Sequence, residues 1–154
     1  MLTDARALRQ LANEVLLIMN DRADLCVAAG FDGVHVGQED LSPSGARCVV
    51  GEKIVGVSCH NPEQVRLADE SPADYVAIGP VFGTQSKTNP DPVVNLDGVR
   101  AARKLTRKPL VAIGGITRAN CLSVIAAGAD SVAVISELLQ DTQKRSEEFV
   151  KILG

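Results

Sequence analysis

Two carboxylates stand 19 residues apart, Asp21 closing Met19-Asn20-Asp21 and Asp40 closing Gly37-Gln38-Glu39-Asp40. Each follows an apolar run, 15–18 and 33–36, that reads as a buried strand, with a helical stretch over 22–30 between them. Neighbouring parallel strands would deliver both acids to the same sheet end, one strand spacing of roughly 5 Å apart. Carboxylates that close repel unless a cation lies between them, and a hard divalent ion with oxygen ligands suits the place. Each Asp fits equally well as the cap of the helix that follows it. Strand geometry alone leaves both readings open.

Further polar groups sit where other strands end. Ile113-Gly114-Gly115-Ile116-Thr117 leaves a strand and opens a helix, so backbone amides there can approach an anion with the helix N-terminus behind them. Ser136 closes Val134-Ile135-Ser136 and can donate to the same anion; the alternative is that the glycines only relieve crowding. The long connection from Gly79 to Pro90 carries hydroxyls at Thr84 and Ser86 and a charge at Lys87, which suits a phosphate or pyrophosphate. Val57-Ser58-Cys59-His60 ends another strand, with Ser58 placed to face the mouth and His60 placed to cap. No carboxylate partner for His60 stands out, so a hydrolytic Ser/His triad has little support. His35 lies inside a strand and reads as a packed histidine.

The elements that must position these groups alternate along the whole chain. Strands are expected at 15–20, 33–36, 53–58, 75–78, 109–113 and 131–135. Helices are expected at 2–13 (capped by Thr3 or Asp4), 23–29, 44–50, 62–69, 97–104, 118–127 and 143–153. The strands are rich in Val and Ile and lack alternation, as strands covered on both faces do. Three helix ends repeat a phrase, Ala29-Gly30-Phe31-Asp32, Pro72-Ala73-Asp74 and Ala127-Gly128-Ala129-Asp130, with Asp leading into the next strand. Such a βα array is a (β/α) barrel or a doubly wound sheet.

The 154 residues suffice for one domain, 1–154, and not for two. A net charge of −3 with scattered basic residues argues against nucleic acid as a partner, as does the near absence of aromatics: no Trp, one Tyr, three Phe. The four cysteines form no ligand spacing. We read no signal peptide and no membrane span, and expect a reduced, soluble, cytoplasmic protein.

Taken together, Asn20-Asp21, Gly33 to Asp40 (GVHVGQED), Gly56 to His60 (GVSCH), Ala73 to Val76 through Gly79 to Phe82 (GPVF), Thr84 to Lys87 (TQSK), Ile113 to Ile116 and Ile135-Ser136 resemble the thiamine-phosphate synthase (thiamine phosphate pyrophosphorylase) family in order and spacing. The GQED and GPVF–TQSK segments are specific, and the likeness covers essentially the whole chain. It implies an α/β fold of the (β/α)8 TIM-barrel type, of which six of eight strands are read here; the first strand, first helix and second strand would be missing, making a single partial barrel domain. It implies a transferase of thiamine biosynthesis that joins 4-amino-2-methyl-5-(diphosphooxymethyl)pyrimidine to thiazole phosphate, releasing pyrophosphate. Asp21 and Asp40 would hold Mg²⁺, and Asn20, Ser58 and Lys87 the pyrimidine diphosphate, with Lys87 and Ser58 catalytic. Thr84, Ser86, Gly115, Ile135 and Ser136 would hold the thiazole phosphate.

The chain departs from the family pattern in lacking its Gln-x-Arg-x-Lys diphosphate clamp. Asn95 stands near a position that is usually Gly, and Gly83 where Pro is frequent. A thiazole tautomerase-like barrel and a catalytically impaired, non-enzymatic fragment are the competing readings. Retention of Asp21, Asp40 and Lys87 favours the synthase. Unpaired sheet edges at the first and last strands predict self-association.

Overall fold

A computed structural model describes residues 1–12, 14–83 and 91–154. Its elements alternate: α1 (Leu2–Leu11), β1 (Ile18–Asn20), α2 (Ala23–Ala29), β2 (Gly33–Val36), α3 (Pro43–Val50), β3 (Ile54–Cys59) and α4 (Pro62–Glu70). Then follow β4 (Tyr75–Ile78), α5 (Asn95–Leu105), β5 (Leu110–Ile113), α6 (Cys121–Ala126), β6 (Ser131–Ala133) and α7 (Thr142–Leu153). The strands form one parallel sheet in the order β1-β2-β3-β4-β5-β6. A doubly wound sheet reverses its order at a switch point. Here no reversal occurs, and the described residues form the greater part of a TIM-barrel-type wall.

Period-two alternation sorts the strand residues onto two faces. Val34, Val36, Val55, Val57, Val76, Ile78, Leu110 and Ala112 are at most 4% exposed and form the core beneath the helices. The residues between them face the barrel interior, where His35, Ser58, Tyr75, Val111 and Ile113 are half-buried. Both faces were expected to be buried; the interior face is covered only in part by described residues.

The repeated Asp phrase has a structural cause. Asp32, Asp74 and Asp130 each accept the amide of a residue entering the preceding strand, Leu17 (2.8 Å), Val55 (2.7 Å) and Leu110 (2.7 Å). Each Asp amide donates back to the carbonyl of that same residue. The same carboxylate oxygen takes an Arg from an odd-numbered helix: Arg9 of α1 (2.7 Å), Arg47 of α3 (2.6 Å) and Arg103 of α5 (2.7 Å). Each Arg also ties down carbonyls of the turn after its helix, such as Ala12, Gly51 and Thr106. The clamp recurs with every second βα unit and closes the amino end of the sheet.

Several expected boundaries move. The first strand was expected from residue 15, but Val15 is 57% and Leu16 69% exposed. Arg9 and Asp32 engage Val15 and Leu17 before the ladder starts at Ile18. At the other end β6 stops at Ala133, and Ile135 is 57% exposed. Both are edge strands among the described residues, so their outer halves have no neighbour to extend the ladder. Thr3 and Asp4 lie within the first turn of α1 rather than capping it, α1 ends at Leu11, and Asn13 lies outside the described residues.

Candidate active site at the carboxyl end of the strands

The carboxyl ends of the strands enclose a cleft of about 850 Å³. Asn20, Asp21, Asp40, Ser58, Gly115, Ile135 and Ser136 all line it, so every expected site residue that is described comes to one place. Thr84, Ser86 and Lys87 lie outside the described residues. Gln38, Glu39, His60 and Asp91 join the same wall.

Neither Asp caps a helix. The cap position of α2 is Arg22, and that of α3 is Ser42, whose hydroxyl accepts the Gly45 amide at 3.1 Å. Asp40 instead accepts the Gly37 amide through Oδ2 at 2.7 Å, a turn that fixes its carboxylate over the cleft. Asp21 holds φ at +62°, a left-handed backbone that few residues other than Gly adopt and that clusters at functional sites. Its amide donates to the His35 carbonyl at 2.8 Å, so the turn out of β1 is pinned to β2. The donor set is two hard carboxylates with no group of three or more His, Cys, Asp or Glu among the described residues. Carboxylates are hard oxygen ligands of the kind that Mg²⁺ takes, so Asp21 and Asp40 are chemically suited to such an ion.

The opposite wall is built from Gly114 and Gly115, with φ of +98° and +62°. A Cβ on Gly114 would lie 2.6 Å from Pro80 Cβ, and one on Gly115 2.6 Å from the Gly83 carbonyl oxygen. The glycines therefore relieve crowding as well as bare the backbone. The helix expected to begin at residue 118 begins at Cys121 and is only 6 residues long, so its N-terminus does not reach Gly115. Asn120 shapes the intervening turn, accepting the Thr117 amide at 2.8 Å and donating to the Gly115 carbonyl at 3.1 Å. Ser136 opens a single 3₁₀ turn, Ser136–Leu138, across the cleft.

Two histidines stand between these walls. His35 is a bridge: Nδ1 lies 2.8 Å from Tyr75 Oη and Nε2 2.8 Å from Ser58 Oγ. Burial lowers the His35 pKa against the opposing pull of Asp40, and pushes the Tyr75 phenol up to about 12. Burial disfavours an imidazolium at His35, and its second partner is a phenol rather than a carboxylate, so the His35–Ser58 pair lends no support to a hydrolytic triad. His60 does not cap α4; Asn61 does, accepting the Gln64 amide at 3.0 Å. His60 donates Nδ1–H to the Gly79 carbonyl at 2.6 Å and faces Asp91 at 3.5 Å, a carboxylate partner that the sequence did not reveal.

A parallel βα wall whose strands deliver their carboxyl ends to one cleft defines a protein of the TIM-barrel class. The chain belongs to the thiamine monophosphate synthase family: the model of that family matches residues 1–138. It is 67% identical over 154 residues to the thiamine-phosphate synthase of Koribacter versatilis, covering 99% of this chain and 73% of that one. Against the thiamine-phosphate synthase of Caldicellulosiruptor bescii it is 46% identical over 143 residues, covering 91% of this chain and 65% of the other. The solved thiamine phosphate pyrophosphorylase of Pyrococcus furiosus superposes with a TM-score of 0.90 at 35% identity, over 99% of this chain and 75% of that one. The chain thus spans roughly two thirds to three quarters of the length of these relatives. The family is one of transferases in thiamine biosynthesis. No helix among the described residues is long and apolar enough to cross a membrane.

Proposed function

We infer that the cleft binds the pyrimidine diphosphate and thiazole phosphate side by side and joins them into thiamine phosphate. The observation that carries this reading is the convergence of Asp21, Asp40, Ser58, Gly115 and Ser136 on one cleft from five different strand ends. Asp21 and Asp40 would hold Mg²⁺, which when bound offsets negative charge on the departing diphosphate. Asn20, Ser58 and Lys87 bind the diphosphate and pyrimidine, while Gly115, Ile135 and Ser136, with Thr84 and Ser86, bind the thiazole phosphate. The carbon–oxygen bond to the diphosphate breaks with its electron pair leaving on pyrophosphate. The thiazole nitrogen lone pair then forms the new carbon–nitrogen bond. That nitrogen carries no proton to be removed, so the site needs charge stabilisation rather than a general base. This agrees with two histidines engaged in positioning hydrogen bonds.

The test is turnover: purified chain, both substrates and Mg²⁺, with thiamine phosphate and pyrophosphate measured together. Stoichiometric appearance of both supports the coupling reaction. Binding of thiazole phosphate without any pyrophosphate release would favour the tautomerase-like reading. Binding of neither substrate would favour the non-enzymatic one.

Self-association is the second part of the proposal. Among the described residues β1 and β6 each pair with a single strand, and exposed Leu16 and Ile135 flank those edges. Sedimentation should show a concentration-dependent oligomer, and a monodisperse monomer would overturn this part.

A further inference from the structure

His35, Gly56 and Tyr75 occupy one row across β2, β3 and β4, in register as His35↔Gly56 and Gly56↔Tyr75. A side chain on the middle strand would separate the outer two. Gly56 has none, and a Cβ there would lie 2.0 Å from the Tyr75 ring. The missing side chain lets the phenol cross β3 and stack on the imidazole, with ring centroids 5.4 Å apart. Ser58 lies two residues along β3 on the same face and meets the other ring nitrogen.

The hydrogens in this chain can run in one of two directions. If Ser58 donates to Nε2, then Nδ1–H donates to Tyr75, and the phenol hydrogen finds no acceptor among the described residues. If Tyr75 donates to Nδ1, then Nε2–H donates to Ser58 Oγ, and the serine hydrogen is left to point into the cleft. The second direction uses both donors of the half-buried pair inside the protein. It also leaves the serine hydrogen free to donate to an anion in the cleft, with one of the two oxygen lone pairs taken by Nε2–H.

The geometry points to Tyr75 as a positioning residue: through His35 it fixes the tautomer that turns the Ser58 hydroxyl into a donor toward the diphosphate. This rests on the reading of the cleft as a diphosphate site, because only an anion there makes the direction matter. Tyr75 is not among the residues that line the cleft and acts only through the imidazole. A proton held firmly on Nε2 also keeps His35 from accepting the serine hydrogen, which would leave an oxygen lone pair facing a phosphate oxygen.

Two measurements separate the relay from the site reading. Nitrogen–proton correlation NMR on the chain, with His60→Gln used to assign its two histidines, should find His35 protonated on Nε2. Tyr75→Phe removes only the hydroxyl, so Nδ1 loses its donor and the Nε2–H bond to Ser58 loses the polarisation that strengthens it; the Nε2 proton signal should move and exchange faster with water. Protonation of His35 on Nδ1 in the parent chain would overturn the relay. Calorimetric titration with pyrophosphate and Mg²⁺ should show Tyr75→Phe weakening binding about threefold to tenfold. The same substitution in a Ser58→Ala background should cost nothing further, because its effect runs through that serine. An equal loss in both backgrounds would show Tyr75 acting structurally and would overturn the relay. If the parent chain fails to bind pyrophosphate, or Ser58→Ala leaves its affinity unchanged, the diphosphate reading fails and the relay loses its purpose, whatever the tautomer.

Discussion

Arg47 and Asp74 meet at 2.6 Å with the Val55 amide on the same carboxylate oxygen, and this joint recurs at Arg9–Asp32 and Arg103–Asp130. A helix, a strand entry and the following strand are fixed by one side chain, so the joint sets the spacing of two βα units at once. Asp74→Ala should destabilise the chain by about 1–2 kcal/mol, from the loss of charge-assisted bonds to an amide and a guanidinium. The figure is kept low because the Asp74 side chain is 49% exposed and water screens the pair. Asp74→Asn keeps an acceptor for Val55 and should lose less. Urea denaturation of both variants against the parent checks the order, and an Asn variant as unstable as the Ala one would remove the amide bond from the account.

The Asp32 joint should also appear in the acid limb of the stability profile. The Leu17 amide and then Arg9 hold its carboxyl below the usual carboxylate range. A folded pKa below the unfolded one means that the unfolded chain binds the proton first. The contribution is therefore complete above the unfolded value of about 4 and is lost as pH falls through the lowered folded value. In Asp32→Asn the urea midpoint should fall less between neutral pH and about pH 3 than in the parent. Parallel declines would show that Asp32 contributes nothing to acid sensitivity.

How far the sequence reveals this molecule depends on how local each feature is. Val- and Ile-rich runs bounded by Gly and Asp place all six strands, because burial and turn chemistry leave local marks. The outer ends of β1 and β6 do not follow, since a strand stops where its neighbour stops and no local signal records the neighbour. Asp40 and Ser42 are two residues apart and both are good caps, so composition cannot say which one closes α3; the Gly37 turn decides it. The expected ligands of the cleft follow from strand ends and family likeness. Tyr75 and Asp91 do not, because their partners His35 and His60 lie 40 and 31 residues away in sequence and meet them only through sheet register and loop path. The one legible hint was Gly56, a glycine in the interior of a strand, which marks a close approach by something else.

Asp40→Asn should separate the two halves of the cleft. The amide oxygen can still accept from Gly37, so the turn survives, while the anionic ligand is gone. Mg²⁺-dependent pyrophosphate binding should fall at least tenfold, with inorganic phosphate binding at the Gly115–Ser136 wall nearly unchanged. Calorimetry with each anion reads both, and equal loss of the two would sink the division of the cleft.

The cradle is better tested at Ser136 than at Gly115. Any side chain at Gly115 strikes the Gly83 carbonyl and Phe82 and must adopt a φ of +62°, so Gly115→Val would lose both stability and binding. Ser136→Ala removes one donor on an exposed turn. Phosphate affinity should drop about threefold to tenfold with the thermal midpoint unmoved. Unchanged affinity would take Ser136 out of the site.

Asn95 suits the backbone on which it sits. It opens α5 with φ at +55°, the left-handed region, where Asn is among the best tolerated residues after Gly. Asn95→Ala places a Cβ against the following carbonyl without the local hydrogen bonding that Asn offers, and should cost about 1 kcal/mol. Asn95→Gly removes that clash but adds freedom to the unfolded chain, a loss of roughly 0.5–1 kcal/mol that largely offsets the gain. The glycine variant should therefore sit close to the parent in urea and the alanine variant clearly below it. Alanine and glycine variants of equal stability would show that the backbone at the start of α5 relaxes out of the left-handed region. Asn95 would then be only one of several residues able to begin that helix.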